Sequence, residues 1–266
     1  MLKGKKALIT GSSRGIGKEI VKVFLEQGCE VYGLCSKPSA SKDELSQFAL
    51  DNNTKFTEIC ADCGNAEEVT SVVKEALSIS GGFDILINNA GILIFNQLER
   101  TDSARIDTII ALHCTTPTKL CRLFAPAMRA RGGGHIILMS SVTAWTPFPT
   151  ISHYAATKAY LRSFGQSLWY ELRGSGVTVT TGFPSAVDTP FYTLSDRARR
   201  WLRRFGVMLS AEAVARKALR AMRHGRCRCL PGLLTKIEAA ICAILPSWVL
   251  LPVLRIPAVR RILERI

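Results

Sequence analysis

A glycine-rich turn near the N-terminus limits the possible folds more than any other feature of the sequence. Residues 11–17, Gly-Ser-Ser-Arg-Gly-Ile-Gly, lie between an apolar run at 6–10 and a segment at 16–27 whose apolar residues recur with helical periodicity. Such a strand-to-helix turn lets the backbone approach a pyrophosphate, whose negative charge meets the helix N-terminus. An ordinary tight turn is the alternative, but a second strand is predicted at 30–35, as a nucleotide-binding βαβ unit requires.

The rest of the chain repeats this alternation of strand and helix. Further strands are predicted at 56–61, 84–88, 135–140, 177–183 and 227–230, and helices at 41–51, 67–79, 103–131 (with a break near residue 111) and 153–173. The alternation implies right-handed βαβ units and a parallel sheet. We therefore predict an α/β fold, a Rossmann-type doubly wound sheet of about seven strands in a three-layer sandwich. The predicted catalytic domain spans residues 1–231, and residues 232–266 form a C-terminal extension.

A tyrosine and a lysine four residues apart, Tyr154 and Lys158, lie on one face of the helix predicted at 153–173. A phenol has an ordinary pKa of about 10 and is a poor proton donor or acceptor at neutral pH. A nearby ammonium favours the phenolate and lowers that pKa, so the pair can act as a general acid or base. The pattern occurs by chance in many helices, and its value depends on the motifs that precede it.

Three motifs precede the pair in an informative order. Thr10-Gly11-Ser12-Ser13-Arg14-Gly15-Ile16-Gly17 follows the first apolar run, Asn88-Asn89-Ala90-Gly91 follows the fourth predicted strand, and Ser140-Ser141 closes the fifth. Together with Tyr154 and Lys158 they resemble the classical short-chain dehydrogenase/reductase family over roughly residues 4–231. The resemblance implies an oxidoreductase that interconverts a carbonyl and a secondary alcohol with a nicotinamide cofactor.

The resemblance also implies roles for the matching residues. Tyr154 is expected to exchange a proton with the carbonyl oxygen, Ser141 to hydrogen-bond that oxygen, and Lys158 to lower the tyrosine pKa and hold the nicotinamide ribose. Among the expected cofactor contacts, Asp62 would bind the adenine amino group, and Val187 and Thr189 the nicotinamide carboxamide. The full set of expected contacts is Gly11, Ser13, Arg14, Gly15, Ile16, Gly17, Ser36, Lys37, Asp62, Asn89, Ala90, Gly91, Tyr154, Lys158, Pro184, Val187 and Thr189.

The residues after the second predicted strand favour NADP(H) over NAD(H). A ribose 2′-hydroxyl is usually bound by an acidic residue about 20 residues after the glycine-rich turn. Here that position is Cys35, followed by Ser36 and Lys37, so no carboxylate would repel a 2′-phosphate. Arg14 and Lys37 can both neutralise the phosphate charge. The alternative is that both are solvated surface charges.

Two positions depart from the family pattern. Relatives carry an asparagine thirteen residues before a proline in the helix at 103–131, where it helps to hold a water that relays protons to the lysine. Counting back from Pro126 gives His113. A neutral imidazole both donates and accepts hydrogen bonds, so His113 could hold the same water, or it could be a packed helix residue. Ser185 follows Pro184, where relatives usually have glycine.

Positive charge is concentrated in the last quarter of the chain. Residues 196–266 contain 16 Lys/Arg and 4 Asp/Glu, whereas residues 1–195 contain 19 and 17. A helix predicted at 195–205 lies in a region, about 189–208, that covers the substrate as a lid in the family. One face carries Ala198, Trp201, Leu202 and Phe205, and the other carries Arg197, Arg199, Arg200, Arg203 and Arg204. This helix suits a membrane surface, or a lid with its apolar face on the core and its arginines in solvent.

The C-terminal extension adds an apolar stretch at 237–254, which Pro246 and Pro252 interrupt, and a final basic amphipathic segment. In that final segment Val259, Ile262, Leu263 and Ile266 share a face opposite Arg260, Arg261 and Arg265. The stretch is at the short limit for a membrane span, so we predict interfacial contact with an anionic membrane. A tail packed on its own domain, or on a second subunit of a homo-oligomer, is the alternative.

The nine cysteines form an odd set in a chain without a secretory signal peptide, which favours reduced cytosolic thiols over disulfides. Cys60-x-x-Cys63 and Cys227-x-Cys229 lack a second pair at zinc spacing, so no metal site is expected. The basic segment lacks a known nucleic-acid-binding module, and binding to nucleic acid is not expected. The expected location is cytoplasmic, with peripheral attachment to a membrane through the extension.

The expected substrate is a small, apolar carbonyl or alcohol. Trp145, Pro147 and Phe148 in the loop after the fifth strand, together with the basic lid, favour a lipid-like molecule. A substrate carried by an acidic acyl carrier protein would also suit the arginine face. A nucleotide-binding scaffold with little catalysis is the alternative from another class, and the intact catalytic residues argue against it.

Overall fold

The computed structural model describes residues 2–145, 149–189 and 195–244, together with residue 252. Several sequence expectations fall outside this part: Pro147 and Phe148, residues 190–194 of the lid, the side chain of Ala198, and, apart from Pro252, everything after Ile244.

The central sheet contains seven strands in the described residues. They are β1 (Lys6–Thr10), β2 (Glu30–Cys35), β3 (Phe56–Cys60), β4 (Ile85–Asn88), β5 (Gly134–Met139), β6 (Val177–Gly182) and β9 (Arg228–Cys229). Two further short strands, β7 (Val187–Asp188) and β8 (Leu209–Ser210), form a separate parallel pair. The strands of the main sheet are parallel and follow the order β3-β2-β1-β4-β5-β6-β9. The predicted α/β fold is therefore confirmed, whereas the β7–β8 pair was not predicted.

Helices cover both faces of the sheet. They are α1 (Gly15–Glu26), α2 (Lys42–Asp51), α3 (Ala66–Ser80), α4 (Ser103–Ile110), α5 (Thr116–Ala130), α6 (Ser152–Glu171), α7 (Asp196–Arg204), α8 (Ala211–Arg223) and α9 (Leu233–Ile244). Phe24 of α1 and Val214 of α8 belong to the buried cluster on one face, and Phe124 of α5 and Leu168 of α6 to the cluster on the other. Because both faces are covered, the central strands β1, β2 and β4 are buried along nearly their whole length.

The break expected near residue 111 is a π-helical turn, Ala111–Thr115, between α4 and α5. Such turns are rare and often occur at functional sites. Here the turn contains His113, which is fully buried. It also precedes Thr116, whose hydroxyl donates a hydrogen bond to the carbonyl of Cys63 at 2.8 Å.

The strand order reverses between β1 and β4, from which the two halves of the sheet extend in opposite directions. In open parallel sheets, ligands bind outside the carboxyl ends of the strands at such a point. The glycine-rich turn follows β1, the Asn-Asn-Ala-Gly motif closes β4, and Ser140-Ser141 follows β5. The topology therefore brings these three motifs to one crevice.

The face of helix α7 that meets the domain is not the apolar face that the lid alternative predicted. Arg199 and Arg203 face the domain and pair with Asp188, with N–O distances of 2.6 and 3.4 Å. Trp201 and Phe205 remain 59% and 57% exposed, and their ring centroids lie 4.7 Å apart. The expectation that the apolar face packs on the core and the arginines are solvated is therefore wrong for Trp201, Phe205 and Arg199, whereas the Arg203 side chain stays 55% exposed.

Helix α9 contacts the domain through one side only. Thr235 and Ala239 are buried, and Glu238 accepts a hydrogen bond from the Ser185 hydroxyl at 2.7 Å. Ile241 and Ile244, on another side, are 51% and 82% exposed. Within the described ranges, no helix combines the length and the apolar character that crossing a membrane requires.

Candidate active site

A cavity of about 340 Å³ opens at the carboxyl ends of the strands. Most residues expected at the site line it: Gly11, Ser13, Arg14, Gly15, Ile16, Gly17, Ser36, Asp62, Asn89, Ala90, Gly91, Ser141, Tyr154, Lys158, Pro184, Val187 and Thr189. Lys37 and His113 are absent from this lining. The sequence analysis missed several lining residues, which are Cys63, Ile92, Thr108, Leu112, Met139 and Ser140.

Close backbone contacts shape the glycine-rich turn. Gly11 has a φ of +69°, and a Cβ there would lie 2.8 Å from the Cα of Ala90. A Cβ on Gly17 would lie 1.9 Å from the carbonyl oxygen of Gly11. No side chain fits in either place, because real Cβ contacts stay beyond these distances. The turn thus depends on glycine at both positions.

The loop after β4 holds this turn in place. The side-chain amide of Asn89 donates to the carbonyl oxygens of Thr10 and Gly11, at 3.1 and 3.2 Å. The Thr10 hydroxyl in turn accepts from the backbone N–H groups of Asn89 and Ala90, both at 3.0 Å. Asn89 and Thr10 therefore join the loop after β4 to the loop after β1.

The N-terminus of α1 suits an anionic group. The side chain of Arg14, at the N-cap position, makes no capping hydrogen bond, and the first turn contains no acidic residue. The first N–H groups of a helix lack partners within the helix and carry partial positive charge. Since Gly15 and Ile16 line the cavity at this point, the residues present fit the pyrophosphate of a dinucleotide.

Lys158 is buried between β5 and α6. Its ammonium donates a hydrogen bond to the carbonyl of Met139 at 3.0 Å and lies 5.5 Å from the centroid of the Tyr154 ring. Burial lowers the pKa of Lys158 to about 8, although the nearby Cys114 acts in the opposite direction. The amine is therefore close enough to Tyr154 to influence its phenol electrostatically, as the four-residue spacing predicted.

Two serines at the end of β5 act differently. The Ser140 hydroxyl donates to the carbonyl of Lys158 at 2.7 Å, which fixes α6 against the strand. The Ser141 hydroxyl oxygen accepts from the N–H of Thr143 at 3.2 Å and lines the cavity beside Tyr154. Because a backbone N–H can only donate, the Ser141 hydroxyl keeps its own proton for another acceptor.

His113 lies next to Tyr154, with its ring centroid 5.6 Å from that of the tyrosine. Its Nε2 accepts a hydrogen bond from the N–H of Ile92 at 3.2 Å, so the proton of the neutral ring lies on Nδ1. Nδ1 then donates to the Thr157 hydroxyl at 2.8 Å, which donates to the carbonyl of Tyr154 at 2.8 Å. Burial, and then the charge of Lys158, lower the pKa of His113 well below its ordinary value.

Both ring nitrogens of His113 are thus engaged by protein groups. The ring connects the loop after β4 to the helix that carries Tyr154 and Lys158. This arrangement favours the packing alternative of the sequence analysis over a direct hydrogen bond from the ring to a relay water. Thr157 was not singled out from the sequence, because its relation to His113 depends on how two helices pack.

The end of the cavity beside β2, which the resemblance assigns to the cofactor adenosine and which is called the adenosine end, is lined by Arg14, Cys35, Ser36 and Asp62. Arg14 is exposed, and the Asp62 carboxylate accepts a hydrogen bond from the N–H of Gly64 at 2.9 Å. No acidic residue of the described chain occupies the position after β2, which carries Ser36 and the exposed Lys37.

The opposite end of the cavity is bounded by the segment after β6. Pro184, Ser185, Val187 and Thr189 line it there. Arg199 of α7 bonds to Asp188, directly between Val187 and Thr189, so α7 is tied to the cavity wall. Ser185 replaces the usual glycine of relatives and connects the wall to α9 through Glu238.

Comparison with known proteins identifies the family of the chain. The family model described as short chain dehydrogenase matches residues 5–199. A 3-oxoacyl-(acyl-carrier-protein) reductase of Vibrio cholerae is 34% identical over 188 residues, 71% of this chain and 75% of that protein. The dehydrogenase/reductase SDR family member 4 of Bos taurus is 30% identical over 191 residues, 71% of this chain and 68% of that one.

Solved structures give the same result. A 3-ketoacyl-(acyl-carrier-protein) reductase from Brucella melitensis, complexed with NADH, superimposes with a TM-score of 0.75 at 26% identity. The match covers 86% of this chain and 96% of that one. Because the family model matches well over half of the chain and the family motifs lie around one cavity, the chain belongs to the short-chain dehydrogenase/reductase family of oxidoreductases.

Proposed function

We propose that the protein is an NADP(H)-dependent oxidoreductase that interconverts a carbonyl and a secondary alcohol. The observation that carries the proposal is the presence of Ser141, Tyr154 and Lys158 around the same cavity as the glycine-rich turn. Tyr154, assisted by Lys158, supplies the acid/base group, and Ser141 supplies a hydrogen-bond donor. The turn supplies a site for a dinucleotide phosphate.

In the reduction direction, the Tyr154 hydroxyl donates its proton to the carbonyl oxygen. The Ser141 hydroxyl donates a hydrogen bond to the same oxygen and orients it, with its own oxygen held by Thr143. The Lys158 ammonium stabilises the phenolate that remains after proton transfer. The nicotinamide, when bound, supplies the hydride, and the protein contributes orientation and electrostatics.

The preference for NADP(H) rests on the adenosine end of the cavity. Arg14 lines it, Ser36 and Lys37 follow β2, and the chain position at the end of β2, which is usually acidic in NAD-dependent enzymes, is Cys35. A guanidinium and an ammonium both suit a 2′-phosphate. The Brucella melitensis relative was solved with NADH, so family membership alone does not choose between the cofactors.

The proposed substrate is apolar. Ile92, Leu112 and Val187 line the cavity, and Trp145 packs against Phe183 with ring centroids 4.4 Å apart. The Vibrio cholerae relative is named as a reductase of acyl-carrier-protein substrates, which favours an acyl chain on an acidic carrier as a second candidate. The scaffold alternative is the weakest, because Ser141, Tyr154 and Lys158 are all present.

We also propose that the enzyme attaches peripherally to an anionic membrane on the cytoplasmic side. The α7–α9 surface consists of the exposed apolar residues Trp201, Phe205, Val207, Leu233, Leu234, Ile237, Ile241 and Ile244. The segment directly after α7 lies next to α9, since a Cβ on Gly206 would lie 3.9 Å from Leu234 Cδ1. On α9, positions 234, 237, 241 and 244 form one stripe, which a helix in water would fill with polar residues.

The excess of positive charge near this surface favours an anionic membrane over a second copy of the chain as its partner. Arg197, Arg200 and Arg204 are exposed beside it, and residues 196–266 contain 16 Lys/Arg against 4 Asp/Glu. A second copy of the chain would bring the same excess of positive charge, whereas anionic lipid attracts it by about 1 kcal/mol per near-surface cation.

The Tyr154→Phe substitution removes the proton donor and retains the ring. We expect kcat to fall at least about 100-fold, on the scale of a lost general acid, with NADPH affinity little changed. Steady-state kinetics with a panel of apolar ketones, and NADPH fluorescence titration, measure both. Near-normal turnover in this variant would refute the mechanism.

Removal of both cations at the adenosine end should reduce cofactor discrimination. We expect the wild type to use NADPH with a kcat/KM at least about 10-fold above that for NADH, and Arg14→Ala with Lys37→Ala to narrow this ratio, because each charge-assisted contact is lost. Lys42→Ala, an exposed lysine at the start of α2, is the matched control and should leave the ratio unchanged. A wild type that prefers NADH overturns the cofactor assignment.

Substitutions at His113 test whether the ring positions the catalytic helix. His113→Asn keeps an acceptor for the Ile92 N–H and should retain or raise activity. His113→Leu leaves that N–H without an acceptor, at a cost of about 1–3 kcal/mol, and should lower both the thermal midpoint and kcat. If the Leu variant is as active as the wild type, the ring has no part in positioning or proton transfer.

Co-sedimentation of the full-length chain with vesicles tests the membrane proposal. We expect binding to phosphatidylserine-containing vesicles that decreases but persists at high salt, because the apolar part is not screened. Ile237→Ser with Ile241→Ser should reduce binding. The control is Leu50→Ser with Ile79→Ser, two exposed apolar residues on α2 and α3.

Equal binding by both double variants would exclude the α7–α9 surface as the contact. Absence of binding at low salt would indicate instead that the tail packs on protein.

A further inference from the structure

Three potential metal ligands from neighbouring strands meet at the edge of the sheet. Cys35 of β2 lies directly opposite Cys60 of β3 in the parallel register. Glu58 precedes Cys60 by two residues and therefore points to the same face of β3. The two sulfur atoms and a carboxylate oxygen of Glu58 all lie within 4.8 Å of one another.

This separation is close to that of ligands around one small cation. Zn–S bonds of about 2.3 Å in a tetrahedral site place two sulfurs roughly 3.8 Å apart, and Zn–O bonds of about 2.0–2.2 Å bring a carboxylate closer still. Closing the cluster from its present spacing requires shifts of about 1 Å, which rotation about side-chain bonds provides.

The surroundings of the cluster support a binding site. The backbone N–H of Ser39 is shared between the two carboxylate oxygens of Glu58, at 3.3 and 3.2 Å. Hydrogen bonds of this kind orient the carboxylates that bind metals. Cys35 is buried, Glu58 is half-buried and Cys60 is exposed, so an ion can enter from solvent and become partly enclosed.

We propose that Cys35, Glu58 and Cys60 bind one thiophilic divalent cation of the Zn²⁺ class. Two sulfurs and one carboxylate form a set that zinc and cadmium favour, whereas magnesium and calcium prefer oxygen ligands throughout. Three protein ligands leave a fourth position for water. Binding replaces the two thiol protons, which are released to solvent as two metal–sulfur bonds form.

The location gives the site a specific neighbour. Cys35 lines the cofactor cavity, and Ser39 belongs to the same loop as Ser36 and Lys37. A bound ion would hold Cys35 directly and would hold Ser39 through Glu58. It would thereby fix both ends of the segment that carries Ser36 and Lys37, the proposed ligands of the 2′-phosphate. This site differs from the Cys60-x-x-Cys63 pattern, because Cys63 belongs to the buried cluster on the other face of the sheet.

The test uses the full-length protein, reduced with a phosphine and titrated with Cd²⁺ as the spectroscopic probe. We expect one equivalent of ion to produce thiolate-to-cadmium charge-transfer absorbance, with two protons released per ion. Zn²⁺ affinity follows from competition with a chromogenic chelator. Cys60→Ser should weaken the affinity at least about 10-fold, and Glu58→Gln should weaken it while keeping an acceptor for Ser39.

Cys242→Ser, a partly exposed cysteine on α9 outside the cluster, is the matched control and should retain the affinity. Circular dichroism verifies that each variant is folded, and Cys60 is exposed, so its substitution is tolerated. The proposal is overturned by the absence of saturable binding, or by equal affinity in the Cys60→Ser and Cys242→Ser variants.

Discussion

Burial of the Lys158 ammonium is the interaction on which the rest of the site depends. An unpaired charge in a protein interior is costly, and this cost appears as a lowered pKa. The Met139 carbonyl accepts a hydrogen bond from the ammonium, while the Ser140 hydroxyl donates to the Lys158 carbonyl. The two bonds run in opposite directions between β5 and α6. They hold strand and helix in the relative position that brings Ser141 and Tyr154 to the same cavity.

Local signals were sufficient to predict the fold, whereas the site residues were expected from the resemblance to a known family. The alternation of strands and helices is visible in the sequence, and the carboxyl ends of parallel strands meet at one edge of the sheet. This topology explains why residues that follow different strands, such as Gly11, Asn89 and Ser141, all line one cavity. The four-residue spacing of Tyr154 and Lys158 placed both on one face of α6, because it is close to one helical turn.

The features that could not be predicted depend on contacts between distant segments. A helical wheel divides α7 into two faces but does not say which one meets the domain. The carboxylate of Asp188 decides this, because it attracts Arg199 and leaves Trp201 outside. The pairing of Cys35 with Cys60 is likewise a matter of strand register, which spacing along the chain does not reveal.

The π-helical turn at Ala111–Thr115 changes the direction in which the side chains after it point, relative to those before it. A π turn amounts to one extra residue in an α-helix, and one residue corresponds to a rotation of about 100°. The side chains of one half of the helix are thereby rotated about the axis relative to those of the other half. Thr108 and Leu112 can face the cavity while Leu120 and Phe124 are buried against the sheet, although one uninterrupted helix would not align these residues in the same way. A single inserted residue thus allows one continuous helical segment to serve both the ligand site and the core.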